Sequence, residues 1–127
     1  MKYVLGIDPG GTCGVVLYNR EENLILTSGD VPPEFLFNML EDASTEDVLI
    51  ACEKPVRQPF RRHIDESVFR VAHIIEYICT KRGLHLEWVQ PSEHKARFKH
   101  LKRSAYPVIT TGHQMDALTV ALHVSTK

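Results

Sequence analysis

Apolar residues come in short runs along this chain, and each run is closed by a turn residue, an acid or a proline. Tyr3, Val4, Leu5 and Ile7 form the first run, which ends at Asp8 and leads into Pro9-Gly10-Gly11. It lacks strict alternation, so it predicts a central strand buried on both faces. Gly10-Gly11 allows a turn with positive φ. Residues 15–18 (VVLY) predict a second strand, 19–23 a polar turn, and 24–27 a third strand ending near Gly29. These three read as an antiparallel meander. Pro32-Pro33 opens a helix to about Ala43, with Phe35, Leu36, Met39 and Leu40 as its apolar face. Residues 47–52 (DVLIAC) form a fourth strand, closed by Glu53-Lys54-Pro55.

A basic loop follows over 56–64 (VRQPFRRHI). Asp65 or Glu66 then starts a long helix to about Arg82, stopped by Gly83, with Val68, Val71, Ile74, Ile75 and Ile78 at helical spacing. Residues 84–89 predict a fifth strand, and Ser92 an N-cap for a short helix. The stretch 98–107 is basic and irregular. A last helix over 112–123 places Met115, Leu118, Ala121 and Leu122 on one side. The order βββαβαβα predicts an α/β fold, a mixed sheet with helices on its faces. No repeat, low-complexity tract or linker interrupts it, so one domain over 1–127 is expected.

Composition adds three constraints. An apolar fraction of 43% and a charged fraction of 24% are those of an ordinary globular protein. No apolar run nears the ~18 residues of a membrane span, and no basic-then-apolar leader opens the chain, so an intracellular protein is expected. Cys13, Cys52 and Cys79 lie far apart without a CxxC pair and read as reduced thiols, not as a disulfide frame or zinc knuckle. Charge is uneven. Residues 54–103 hold twelve of the 15 basic residues against five acids, a balance of +7, which leaves −8 for the remainder. Such asymmetry points to a polyanionic partner for one face, although a solvated basic surface has the same signature.

Candidate chemistry centres on the acids that end strands. Aspartate is a poor strand former and is rarely buried unpaired, so Asp8 has no packing reason to close the first strand. Glu53 closes the fourth. If the two strands are parallel neighbours, both carboxylates emerge at one sheet edge, where open α/β sheets place their sites. The last helix offers His113 and Asp116, three residues apart on one face. Such an oxygen-rich cluster suits Mg²⁺ or Mn²⁺ better than zinc. Two ions about 3.5–4 Å apart activate a water and stabilise the leaving oxygen of a phosphodiester. Each residue also has an ordinary explanation: Asp8 a turn acid, Glu53 a partner of Lys54 or an arginine, Asp116 a capping acid, His113 an exposed first turn. Their order along the chain is what argues against coincidence.

Four segments, GIDPGGTCGVVLY, LIACEKP, VQPSEHK and GHQMDALTVALHV, resemble in order and spacing the RuvC family of Holliday junction resolvases, within the RNase H-like superfamily. The resemblance spans nearly the whole chain. It implies an RNase H-like mixed five-stranded sheet of order 3-2-1-4-5, with the first three strands antiparallel. It implies a homodimer that nicks a four-way DNA junction symmetrically with two Mg²⁺ ions (Mn²⁺ as substitute), leaving 5′-phosphates and 3′-hydroxyls. No nucleotide cofactor and no membrane enter. Carried over by position, Asp8, Glu53 and Asp116 are metal ligands. His113 stands where many relatives have a fourth acid and some a histidine, a ligand or proton carrier. Lys95 falls on the family's phosphate-contacting lysine. Arg57, Arg61, Arg62 and His63 fit phosphate contacts. Phe60 is the one aromatic in the loop after Glu53, where relatives stack an aromatic at the crossover, but it lies further from the acid than that pattern.

Between Lys95 and His113 the chain is shorter than typical cellular members, by about one helix. Lys99, Lys102 and Arg103 are candidates to replace the lost DNA contacts, or junction selectivity is relaxed. The compact length is similar to bacteriophage-encoded members, which implies the cytoplasm of a bacterial or phage-infected cell. The competing readings are a less selective metal-dependent nuclease acting on flaps or RNA/DNA hybrids, and a non-catalytic DNA-binding relative. GIDPGGT also resembles the phosphate loop of sugar kinases and actin-like ATPases. Those need a second related domain, and they leave Glu53 and His113-x-x-Asp116 unexplained.

Overall fold

Alternation along the strands decides which side chains meet which helices. The structure, a computed structural model, describes residues 1–56 and 66–126. Five strands, β1 (Tyr3–Asp8), β2 (Cys13–Asn19), β3 (Leu24–Val31), β4 (Val48–Glu53) and β5 (His85–Val89), form one sheet of order β3-β2-β1-β4-β5. β1 pairs antiparallel with β2, and β2 with β3, while β1–β4 and β4–β5 are parallel. The expected order, orientation and RNase H-like architecture are those observed.

Odd and even positions of the central strands feed two separate cores. Leu5 and Ile7 of β1, with Ile50 and Cys52 of β4, face helices α1 (Pro33–Asp42) and α2 (Glu66–Arg82), packing on Leu36, Leu40, Val71, Ile75 and Ile78. Val4, Leu49 and Ala51 face the other way, toward α4 (Gly112–Ser125) and its Ala117, Leu118, Val120, Ala121 and Val124. Each fully buried aliphatic side chain such as Ile7, Leu36 or Leu118 contributes about 2 kcal/mol of burial. The stripe read on residues 68–78 is thus a sheet-packing face.

Several details differ from the sequence reading. β3 runs on to Val31, because Ser28, Gly29 and Asp30 pair with Val16, Val15 and Gly14 despite their low strand propensity. Gly10 and Gly11 do not take positive φ; among the described residues Asn23 (φ 54°) and Gly83 (φ 71°) do. Helix α3 (Pro91–Arg97) is preceded by Gln90, with Pro91 in its first turn, so Ser92 lies inside it and does not cap it. α4 extends to Ser125 and buries Gln114, Ala117, Thr119 and Val124 as well as Leu118 and Ala121, so its apolar surface is wider than one stripe. Gly83 ends α2 as expected. Nothing lies within 4 Å of a Cβ built there, so Gly83→Ala is expected to cost only the left-handed backbone penalty, about 1 kcal/mol, read as a lowered urea midpoint.

Two arginines of the basic stretch are structural. Arg82 donates from Nη1 to the carbonyls of Leu40 and Ala43, both at 2.8 Å, closing the end of α1. Arg97 donates to the Thr126 carbonyl at 2.7 Å and the His123 carbonyl at 3.3 Å, and lies over the Phe98 ring. The three cysteines are free and buried, and burial raises all three thiols.

Candidate active site

The parity of β1 and β4 carries both strand-end acids to the α4 side. Val4 and Gly6 face α4, so Asp8 does too; Leu49 and Ala51 face α4, and Glu53 follows. The parallel register pairs Ile7 with Cys52, setting the two acids side by side. α4 can lie close to the strands only because small residues face it. A Cβ on Gly6 would overlap the Ala117 carbonyl and come within 2.9 Å of the Ala121 Cβ, and one on Gly14 would overlap the His113 carbonyl. Gly14 is also the cross-strand partner of Asp8. Thr111 caps the helix, accepting from the Gln114 N–H at 3.2 Å and donating to Asp30 Oδ1 at 2.8 Å. One further turn brings Asp116 over the sheet edge.

One carboxylate oxygen from each of Asp8, Glu53 and Asp116 lies within 4.8 Å of the other two. All three residues are half-buried, and among the described residues they are the group of acids, histidines and cysteines able to share an ion. Removal from water raises the Asp8 carboxyl from 3.8 to about 6; the His113 hydrogen bond opposes this, and the charges of Glu53 and Asp116 add to it. Asp116 is raised chiefly by desolvation, with Lys95 opposing and Glu53 adding. The donor set fits a hard divalent cation: three crowded carboxylates, no thiolate, and repulsion that a cation relieves.

The structure places those expected residues that lie among the described ones. His113 Nδ1 lies 3.0 Å from Asp8 Oδ2, its side chain 57% exposed, and that bond raises the imidazole above its usual range. Lys95 Nζ is 3.9 Å from Glu53 Oε1. Lys99, Lys102 and Arg103 are exposed along the stretch between α3 and α4, where residues 103–105 make a single 3₁₀ turn. Arg57, Phe60, Arg61, Arg62 and His63 lie outside the described residues. The sequence reading missed His94. Its side chain is fully buried, with Nε2 2.8 Å from Glu53 Oε2 and Nδ1 2.7 Å from Thr119 Oγ1. A histidine beside Lys95 in a polar segment gives no hint that it faces inward; only the docking of α3 on α4 puts it there.

No protein-family model matches the sequence, and no curated protein matches it either. Solved structures do. Thermus thermophilus RuvC in complex with a Holliday junction substrate is similar over 98% of this chain and 94% of that one, at a TM-score of 0.69 and 16% identity. Another Thermus thermophilus RuvC structure is similar over 97% and 93%, at 0.65 and 17% identity. The chain has the RuvC fold. The likeness reaches end to end, so the RuvC topology accounts for all five strands and for the helices on both faces. At this identity it is a likeness of backbone, and the chemistry rests on the residues just described. Among the described residues no helix is long and apolar enough to cross a membrane.

Proposed function

We propose that this protein is a structure-selective DNA endonuclease that hydrolyses phosphodiesters in four-way or otherwise branched DNA, using divalent cations held by Asp8, Glu53 and Asp116. The observation that carries the reading is the meeting of those three carboxylates, within 4.8 Å, at the adjacent ends of two parallel strands of a RuvC fold. The neighbour's Holliday junction complex supports the choice of branched DNA. Mg²⁺ is the expected ion, two per site, with Mn²⁺ as substitute. When bound, such ions lower the pKa of water and neutralise charge on the phosphate as it develops.

The chain's own residues do the rest. Lys95, more than half exposed beside Glu53, is placed to hold a phosphate oxygen. His113 stands at the exposed side of Asp8 and serves as a fourth ligand or carries a proton. Lys99, Lys102 and Arg103, together with Arg57, Phe60, Arg61 and Arg62, supply contacts to the DNA backbone and crossover. Two symmetric nicks with 5′-phosphate and 3′-hydroxyl ends require two such sites, hence a homodimer.

The test is a substrate panel with Mg²⁺ or EDTA: mobile four-way junction, flap, RNA/DNA hybrid and linear duplex. Preferential Mg²⁺-dependent cutting of the junction is expected; equal cutting of linear duplex overturns junction selectivity. The pH profile is a second check. Protonation of Asp8 removes a cation ligand. Cleavage at fixed Mg²⁺ is therefore expected to hold above about pH 6 and to fall about tenfold per unit below it. A flat profile from pH 8 to pH 5 contradicts the placement of Asp8.

A further inference from the structure

We propose that His94 is a positioning residue for Glu53, fixing which of its two oxygens faces the cations and tying it to the helix that carries Asp116. The inference rests on the nuclease reading above.

The side chain of His94 is wholly shut off from solvent, yet both ring nitrogens are engaged. Nε2 meets Glu53 Oε2 at 2.8 Å, and an ionised carboxylate only accepts, so Nε2 carries the proton. Nδ1 meets Thr119 Oγ1 at 2.7 Å, and that hydroxyl also lies 3.0 Å from the Asp116 carbonyl, its one proton serving one of the two contacts at a time. A continuous path thus runs from the end of β4, through α3, into the turn of α4 that bears Asp116. Thr119 is itself buried, so neither link is diluted by water.

A buried histidine with both nitrogens satisfied would suffice as core glue. Its position here does more. With Oε2 held by the imidazole, Oε1 is the oxygen left to face a cation, with the exposed Lys95 ammonium 3.9 Å from it. Glu53 is thereby restricted to presenting one oxygen, in an orientation set by a rigid partner. Outer partners of this kind, which orient a ligating group, change metal affinity by about 10–100-fold when removed.

The experiment measures Mn²⁺ binding to the full chain by electron paramagnetic resonance, junction affinity in EDTA, and kcat at saturating Mg²⁺. His94→Leu is expected to lose about 10-fold or more in Mn²⁺ affinity, and kcat with it, while cation-free junction binding is unchanged. His94→Gln, whose amide N–H still reaches the carboxylate, is expected to recover most of the loss. In a Glu53→Gln background, His94→Leu is expected to add little, because both changes break one unit. A core-glue role predicts the opposite: an equal further loss in that background and no rescue by glutamine. If His94→Leu does not fold, Thr119→Val answers the question, since it leaves the imidazole in place but releases its far side; a lowered Mn²⁺ affinity supports the proposal and an unchanged one overturns it. Wild-type protein that binds no Mn²⁺ overturns the nuclease reading and this inference together. Wild type and His94→Leu binding Mn²⁺ equally overturns the inference alone.

Discussion

Asp8→Asn is expected to abolish Mg²⁺-dependent cleavage and, in the absence of metal, to make the protein more stable. The first half follows from the proposed ligand set. A bound cation contributes several kcal/mol of transition-state charge stabilisation, and at 1.36 kcal/mol per decade its misplacement costs on the order of 10³-fold or more in rate. The second half follows from the Asp8 carboxyl, raised from 3.8 to about 6 by burial. A raised carboxyl is a destabilising one. The folded state holds its proton more tightly than the unfolded state, so stability is lost as pH climbs from about 4 to about 6 and the loss stays constant above that. Asparagine carries no charge to desolvate. After discounting for the open side of the site, the metal-free gain at pH 8 is on the order of 2 kcal/mol, fading toward pH 4. Urea melts of both proteins at pH 8 and pH 4 read it directly. Saturating Mg²⁺ should narrow or reverse the difference, because only the wild type keeps its full ligand set. An unchanged or lowered midpoint for Asp8→Asn in EDTA at pH 8 contradicts the assigned electrostatics.

Gly14→Ala is expected to be a strongly damaging change, although it adds only a methyl group. The added methyl would overlap the His113 carbonyl and lie 2.9 Å from the His113 Cβ. The carbonyl is backbone in the first turn of α4, so no rotamer change relieves the overlap and the helix must back away from β2. Overpacking of this kind costs typically 1–3 kcal/mol, and a clash with backbone belongs at about 3 kcal/mol or above. The same retreat draws His113 from Asp8 and shifts Asp116, so cleavage should fall even where the protein still folds. Gly11→Ala is the control: Gly11 is exposed, without positive φ, and its added Cβ would lie 3.8 Å from Ser67 Oγ. Its midpoint should stay within about 0.5 kcal/mol of wild type. Equal effects of the two alanines would refute the close-packing account of α4.

These two residues also show what was legible beforehand. Asp8 stood out because strand physics gives no reason for an acid after Val4, Leu5 and Ile7, and Glu53 because it repeats the arrangement. The strand order came from matching motifs, since periodicity alone does not say which strands are neighbours. Gly14 was unreadable, because its role depends on α4, almost a hundred residues later, lying against β2. His94 was hidden for the same reason: its burial is a product of helix docking, while its sequence neighbours Glu93 and Lys95 are exposed. The tail of β3 was missed because cross-strand pairing overrode local propensity. Gly10-Gly11 permits a left-handed residue, but the turn is made by a bend without positive φ. Local signals therefore exposed the two acids that break the strand pattern, and concealed the residues whose function depends on tertiary contact.

The most direct test is to incubate the protein with a mobile four-way junction and Mg²⁺ and map the nicks on all four strands, with Asp8→Asn in parallel. The account predicts paired nicks placed symmetrically across the crossover, with religatable 5′-phosphate ends, and an Asp8→Asn protein that still binds the junction but leaves it uncut. Junction bound and never cut by the wild type, or full Mg²⁺-dependent cutting by Asp8→Asn, would contradict it.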